Sequence, residues 1–175
     1  DSPQIDFGDG SLLIYSHLYT LPEGETIEPY PSNKIEAWDW SKANIRVESQ
    51  GTSKRADSVQ RLVIDTLLAD PDPYDVIFDD DGKGEIADVV ALRITDSVVS
   101  VTLYHCKYSG TDTPGARLGD LYEVCGQAQK SARWRDRPGR MLQHMLRREK
   151  MRRDRGLSSR IEQGSAAAIK KLKVG

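Results

Sequence analysis

The sequence predicts an α/β domain from three observations. A helix-period segment covers residues 57–69, two period-two runs cover 86–94 and 99–107 around a four-residue turn, and a second helical segment covers 116–134. In the first helix Val59, Leu62, Val63 and Leu67 share one face. Asp57 is placed to cap it, with Gln60 at the capping-box position, and Asp70-Pro71-Asp72-Pro73 stops it. A short apolar strand follows at 74–78. The acidic turn after it is expected in solvent, with Gly82 and Gly84 supplying positive φ. Upstream, residues 11–15, 35–40 and 43–47 read as short strands, and Trp38 and Trp40 would share a packed strand face. Downstream, Pro138 opens a helix over 138–153 whose apolar stripe is Met141, Leu142, Met145 and Leu146, and a further helical pattern covers 165–173.

The hairpin is the most informative stretch. A loop of Thr95, Asp96, Ser97 and Val98 pairs Ile94 with Val99, and the register runs outward from there. One face then holds Ile86, Asp88, Val90, Leu92 and Ile94 opposite Lys107, His105, Leu103, Val101 and Val99. Near the loop this face is wholly apolar and is expected to be buried. At its far end it presents Asp88 beside His105, with Lys107 next along and Glu85 within reach. Buried Asp, His and Lys are costly unless they are paired or bind a cation. A plain salt bridge at a strand end satisfies that requirement, and so does a metal site.

Asp88 followed by the triplet His105-Cys106-Lys107, with a helix before and after, resembles the PD-(D/E)xK nuclease superfamily. More narrowly, residues 79–90, 103–109 and 120–130 look like the nuclease-like domains attached to bacterial DEAD/DEAH-box helicases, some of which serve in defence against foreign DNA. The resemblance covers roughly residues 57–163. It implies a restriction-endonuclease-like mixed central sheet flanked by helices; the amino-terminal β segment and the basic helical carboxy-terminal arm are read from strand patterns and charge. It also implies DNA hydrolysis with Mg²⁺ or Mn²⁺, and a helicase domain in the same parent chain. By the same resemblance Asp88, His105, Lys107 and Gln127 are catalytic, and the metal is held by Asp88, Glu85, His105 and the Cys106 backbone carbonyl. His105 stands where the family has an acid. Imidazole is a softer ligand that suits Mn²⁺ better than Mg²⁺, so an inactive nucleic-acid-binding or docking module is the alternative. The family core also has a strand after the second helix. None is legible here, so it is expected beyond residue 175 or from the amino-terminal segment.

Composition bounds the rest. The chain has 175 residues, 38% hydrophobic and 30% charged, with two cysteines. No apolar run approaches the ~20 residues of a bilayer span, and two cysteines make no disulfide framework, so a reducing cytoplasm is expected. Both cysteines read as small apolar packing residues. The net charge of −2 hides a split: residues 1–130 carry 11 Lys+Arg against 23 Asp+Glu, and residues 131–160 carry 11 against 3. Arg133, Arg135, Arg137, Arg140, Arg147, Arg148, Arg152 and Arg153 are expected to be exposed and to contact nucleic-acid phosphates. The organisation read from the sequence is a β-rich segment at 1–56, a nuclease-like core at 57–134 and a basic helical arm at 135–175. The spacing Asp79-x-Asp81-x-Lys83-Gly84 departs from an EF-hand at positions five and twelve, and no zinc, P-loop or dinucleotide spacing is present.

Overall fold

The computed structural model describes residues 4–6, 11–14, 17–20, 36–96, 98–113, 115 and 117–172. The expected element ends at Tyr15, Ile35 and residue 173 lie outside them. The chain divides into two compact units, Asp1–Trp38 and Asp39–Gly175. The first contains a three-stranded antiparallel sheet of β1 (Gln4–Asp6), β2 (Leu12–Ile14) and β3 (His17–Tyr19).

In the second unit the order is α1 (Val59–Leu68), β4 (Val76–Asp79), β5 (Val89–Ile94), β6 (Val99–Tyr104), α2 (Leu118–Ser131), α3 (Pro138–Asp154), β7 (Ile161–Gln163) and α4 (Ala166–Lys171). The sheet order is β6-β5-β4-β7. Every pairing is antiparallel, so the expected mixed sheet is corrected to an antiparallel one. A strand that the sequence does not show, β7, follows α3. Its three residues are too short to show alternation, and it pairs with β4 through a register shift at Ile77 and Phe78.

The β5–β6 register is the expected one, from Ile94↔Val99 to Val89↔Tyr104. The ladder stops there, short of residues 86–88 and 105–107. Side-chain alternation then sorts the two faces. Val76, Phe78, Val90 and Leu92 join Met141, Leu142 and Met145 of α3 and Ile169 of α4 in the main core. Ile77, Val89 and Ala91, fully buried, alternate to the other face, and α1 packs on β4. Val99 and Val101 are more than a third exposed, against expectation, because β6 is an edge strand.

Local chemistry explains the other differences. Residues 36–39 and 43–47 are not strands. Asp39 caps a short 3-10 turn by accepting from the Ser41 N–H, and Asn44 Oδ1 accepts from the Arg46 N–H, so side chains take donors that a ladder would need. The cap of α1 is Ser58, whose Oγ accepts from the Arg61 N–H at 3.0 Å. Asp57 is instead paired with Arg55. Gln60 turns inward: its Oε1 accepts from the Gln50 N–H, and its Nε2 donates to Asp79 Oδ1 and the Asp88 carbonyl. Cys106 is buried, whereas Cys125 is exposed rather than packed. No helix among the described residues is long and apolar enough to cross a membrane.

Gly164, between β7 and α4, has φ +84°, and a Cβ there would collide with the Asp75 carbonyl oxygen. Gly164→Ala is therefore expected to cost about 2 kcal/mol or more. Urea unfolding checks it, and an unchanged midpoint would contradict the packing of this turn.

Candidate functional site

The site is built where β4 ends and the hairpin ladder stops. Three consecutive aspartates leave β4, and the expectation that all are solvated fails for two. The Asp79 and Asp80 residues are 1% and 0% exposed. Asp79 Oδ2 accepts from Arg152 Nη1 at 3.1 Å and from Gln50 Nε2 at 3.1 Å. Asp80 pairs with Arg148 Nε and accepts the Ile86 N–H at 2.7 Å. Burial pushes the Asp80 carboxyl up, and the Ile86 N–H and the nearby Arg148 and Arg160 oppose that. Arg148 also donates to the carbonyls of Asp80, Asp81, Gly82 and Lys83, and Arg160 to those of Asp79 and Asp81. Gly82 and Gly84 have the expected positive φ. The acidic loop is thus clamped from behind by arginines of the basic segment.

That clamp leaves Asp81 for the front. Asp81, Glu85 and Asp88 each place a carboxylate oxygen within 4.8 Å of the others, a group that could hold a metal ion. They line one cavity of about 460 Å³ together with His105, Gln127, Ser131, Trp134 and Glu48. Burial, then the neighbouring Asp88 carboxylate, pushes the Glu85 carboxyl up, partly offset by the Gly82 N–H, which donates to it at 2.7 Å. Three crowded carboxylates, all hard oxygen donors, fit Mg²⁺ or Mn²⁺.

His105 extends this fit. Its side chain is 7% exposed, and Nε2 lies 3.0 Å from Ser131 Oγ. The Ser131 hydroxyl has one proton and faces two carbonyls, those of Ile86 and Gln127. It therefore accepts from His105 Nε2–H, which in the neutral ring leaves a lone pair on Nδ1. Nδ1 is buried without a hydrogen-bond partner, 3.6 Å from Asp88 Oδ2. Gln127 Oε1 and Trp134 Nε1, on the same cavity, are also buried and unpartnered. Buried polar atoms left unpaired cost free energy that a ligand can return.

The residues singled out from the sequence are thus only partly gathered. Asp88, Glu85, His105 and Gln127 line the cavity. Cys106 meets Asp88 through its backbone N–H, 2.8 Å from Oδ2, and burial, then Asp88, pushes its thiol up. Lys107 does not line the cavity. Its ammonium is 2.8 Å from Glu123 Oε1 of α2 and 3.6 Å from Glu48 Oε2, and the Glu123 hydrogen bond pushes its pKa up. Asp81, Ser131 and Trp134 were missed. An acidic run is a signal for Asp81, but the run does not say which carboxylate faces inward. No pattern marks Ser131.

The basic segment also divides. Arg148 and Arg152 are not exposed as expected: their side chains are 11% and 6% exposed and are committed to Asp80 and Asp79. Arg133, Arg135, Arg137, Arg140, Arg147 and Arg153 are exposed. Arg133, Arg137, Arg140 and Arg147 surround a groove with Trp134 and His144, and the Arg133 guanidinium lies 5.2 Å from the Trp134 ring centroid. The groove shares Arg133 and Trp134 with the carboxylate cavity. Compared with protein-family models, curated proteins and solved structures, the chain matches none of them.

Proposed function

We propose that this chain is a metal-dependent phosphodiesterase domain of restriction-endonuclease-like type that hydrolyses DNA, joined to a helicase domain in a longer cytoplasmic protein. The observation that carries the reading is the adjacency of two opposite surfaces. Three carboxylates able to hold a divalent cation open onto a groove of four arginines, with Arg133 and Trp134 common to both. A bound Mg²⁺ or Mn²⁺ would supply Lewis acidity toward a phosphate oxygen and a more acidic water.

The chain's own residues take the remaining roles. Asp81, Glu85 and Asp88 bind the cation. The Nδ1 lone pair of His105 and the Oε1 of Gln127 accept hydrogen bonds from water and orient it. Trp134 Nε1–H donates to a phosphate oxygen, and Arg133 and Lys130, both lining the carboxylate cavity, offset its charge. The exposed arginines track the backbone, with affinity falling steeply as salt rises. Lys107, held protonated by Glu123, is a cation behind Glu48 rather than a base. That placement favours the second reading, a nucleic-acid-binding module that retained the fold without cleavage.

Incubation with supercoiled plasmid in Mg²⁺ and in Mn²⁺ separates the two. Nicking that disappears in Asp81→Asn and Glu85→Gln is the expected result. Nicking that persists in both variants rejects the site, and salt-sensitive binding without nicking in either metal establishes the second reading.

A further inference from the structure

Behind the acidic loop lies a second concavity of about 490 Å³ that shares only Asp81 and Lys83 with the first. Its wall carries five cations, Lys83, Arg148, Arg152, Arg155 and Arg160, and a single carboxylate, Asp81. Two of the five are neutralised elsewhere, Arg148 by Asp80 and Arg152 by Asp79. The Arg160 guanidinium donates to carbonyls alone, its backbone N–H donating to Glu149 Oε2, and neither Lys83 nor Arg155 makes an ion pair among the described residues. Three positive charges with no ion pair of their own among the described residues therefore share this wall with one carboxylate, which itself accepts from Ser49 Oγ, although the Asp79 and Asp80 carboxylates act on Arg160 from nearby.

Hydrogen bonding points the same way. Arg152, with a side chain 6% exposed, has a buried Nε–H with no acceptor, and so has Arg160. Guanidinium donors in this number suit a tetrahedral oxyanion. Of the last carbonyls of α3, those of Arg152 and Arg153 are taken by the N–H groups of Arg155, Gly156 and Leu157. Met151 and Leu157 add an apolar patch to the wall, suited to the organic part of a phosphate ester.

We propose that the cavity walled by Lys83, Arg148, Arg152, Arg155 and Arg160 is a phosphate-binding site. Its ligand is a phosphate group, free or carried on a nucleic-acid backbone. The site shares Asp81 and Lys83 with the carboxylate cavity, but its other cations belong to it alone and it needs no divalent cation, so it does not depend on the nuclease reading.

The test is thermal unfolding of the full chain in EDTA, with inorganic phosphate against sodium chloride at matched ionic strength. Phosphate is expected to raise the unfolding temperature beyond chloride. In the double variant K83Q/R155Q, phosphate affinity is expected to fall roughly tenfold, the loss of about 1.4 kcal/mol of interaction. Both side chains are exposed and bear no ion pair, so the variant is expected to unfold at the wild-type temperature without phosphate. Displacement of phosphate by a twelve-base-pair duplex assigns the site to backbone phosphate, and failure to displace it assigns the site to a small free phosphate. A phosphate effect no larger than chloride's, or one unchanged in the double variant, overturns the proposal. Cleavage is not read in any arm, so loss of the nuclease reading leaves this result standing.

Discussion

Arg152→Met is expected to destabilise the second unit by about 3–5 kcal/mol, the usual cost of removing one partner of a buried ion pair. The Asp79 and Arg152 side chains are 2% and 6% exposed and 3.1 Å apart. Without the guanidinium, Asp79 keeps only neutral donors, the amides of Gln50 and Gln60 and the Asp81 N–H. A buried carboxylate in that state is short of charge compensation. The double variant D79N/R152M removes the charge and leaves an amide oxygen for Gln60, so it is expected to be markedly more stable than R152M alone. Urea unfolding of the two proteins decides the matter. Equal losses would mean that the methionine's shape, not the stranded charge, dominates.

The second large effect is the response to divalent cation. Mn²⁺ at about one hundred times its dissociation constant is expected to add about 2.7 kcal/mol to the folded state, and Glu85→Gln is expected to remove most of that gain. The variant has the opposite effect in EDTA. The Glu85 carboxyl is pushed up by burial and then by Asp88, so above the ordinary glutamate pKa of about 4.3 the native state holds a proton that the unfolded chain has lost. Stability therefore falls as pH rises through that window, and the loss persists at neutral pH. Asp80, also pushed up, acts in the same direction. Comparing Glu85→Gln with wild type isolates the glutamate: the variant should unfold at a higher temperature at pH 7 in EDTA, and the two should converge toward pH 4. A variant that is less stable at pH 7 in EDTA would refute the carboxylate crowding. A Mn²⁺ gain equal to wild type would remove Glu85 from the cation site.

The parts of this architecture that were legible in the sequence are those governed by local rules. The hairpin register followed from one turn length, because a four-residue loop sets Ile94 against Val99 and every later pair follows. Pro138 marked the first turn of α3, and its methionine stripe is buried. What stayed hidden is long-range. Counting charge cannot separate Arg147, which is exposed, from Arg148, which is locked to Asp80 from 68 residues away. β7 is a strand only because β4 lies beside it. The same limit applies to the candidate site. Alternation brought Asp88 and His105 together, but it said nothing of Glu123, which lies on α2 and draws Lys107 aside. Nor could it show that two of three adjacent aspartates are occupied, leaving Asp81 to face the cavity.

One hydrogen bond bears on how alleles of this gene should be interpreted. Asp88 Oδ2 takes the Cys106 N–H just past the end of the β5–β6 ladder, and the Asp88 carbonyl takes the Asp80 N–H and the Gln60 amide. The carboxylate acts as a pin where two strands part. Truncating it to Ala leaves a buried backbone donor unpaired, so the mutant phenotype would be that of a misfolded product. Asp81 and Glu85 bear no such structural duty toward the hairpin. Under the proposed phosphodiesterase reading, loss of function at those two positions, in a protein still present at normal abundance, is the expected genetic signature of lost cation binding.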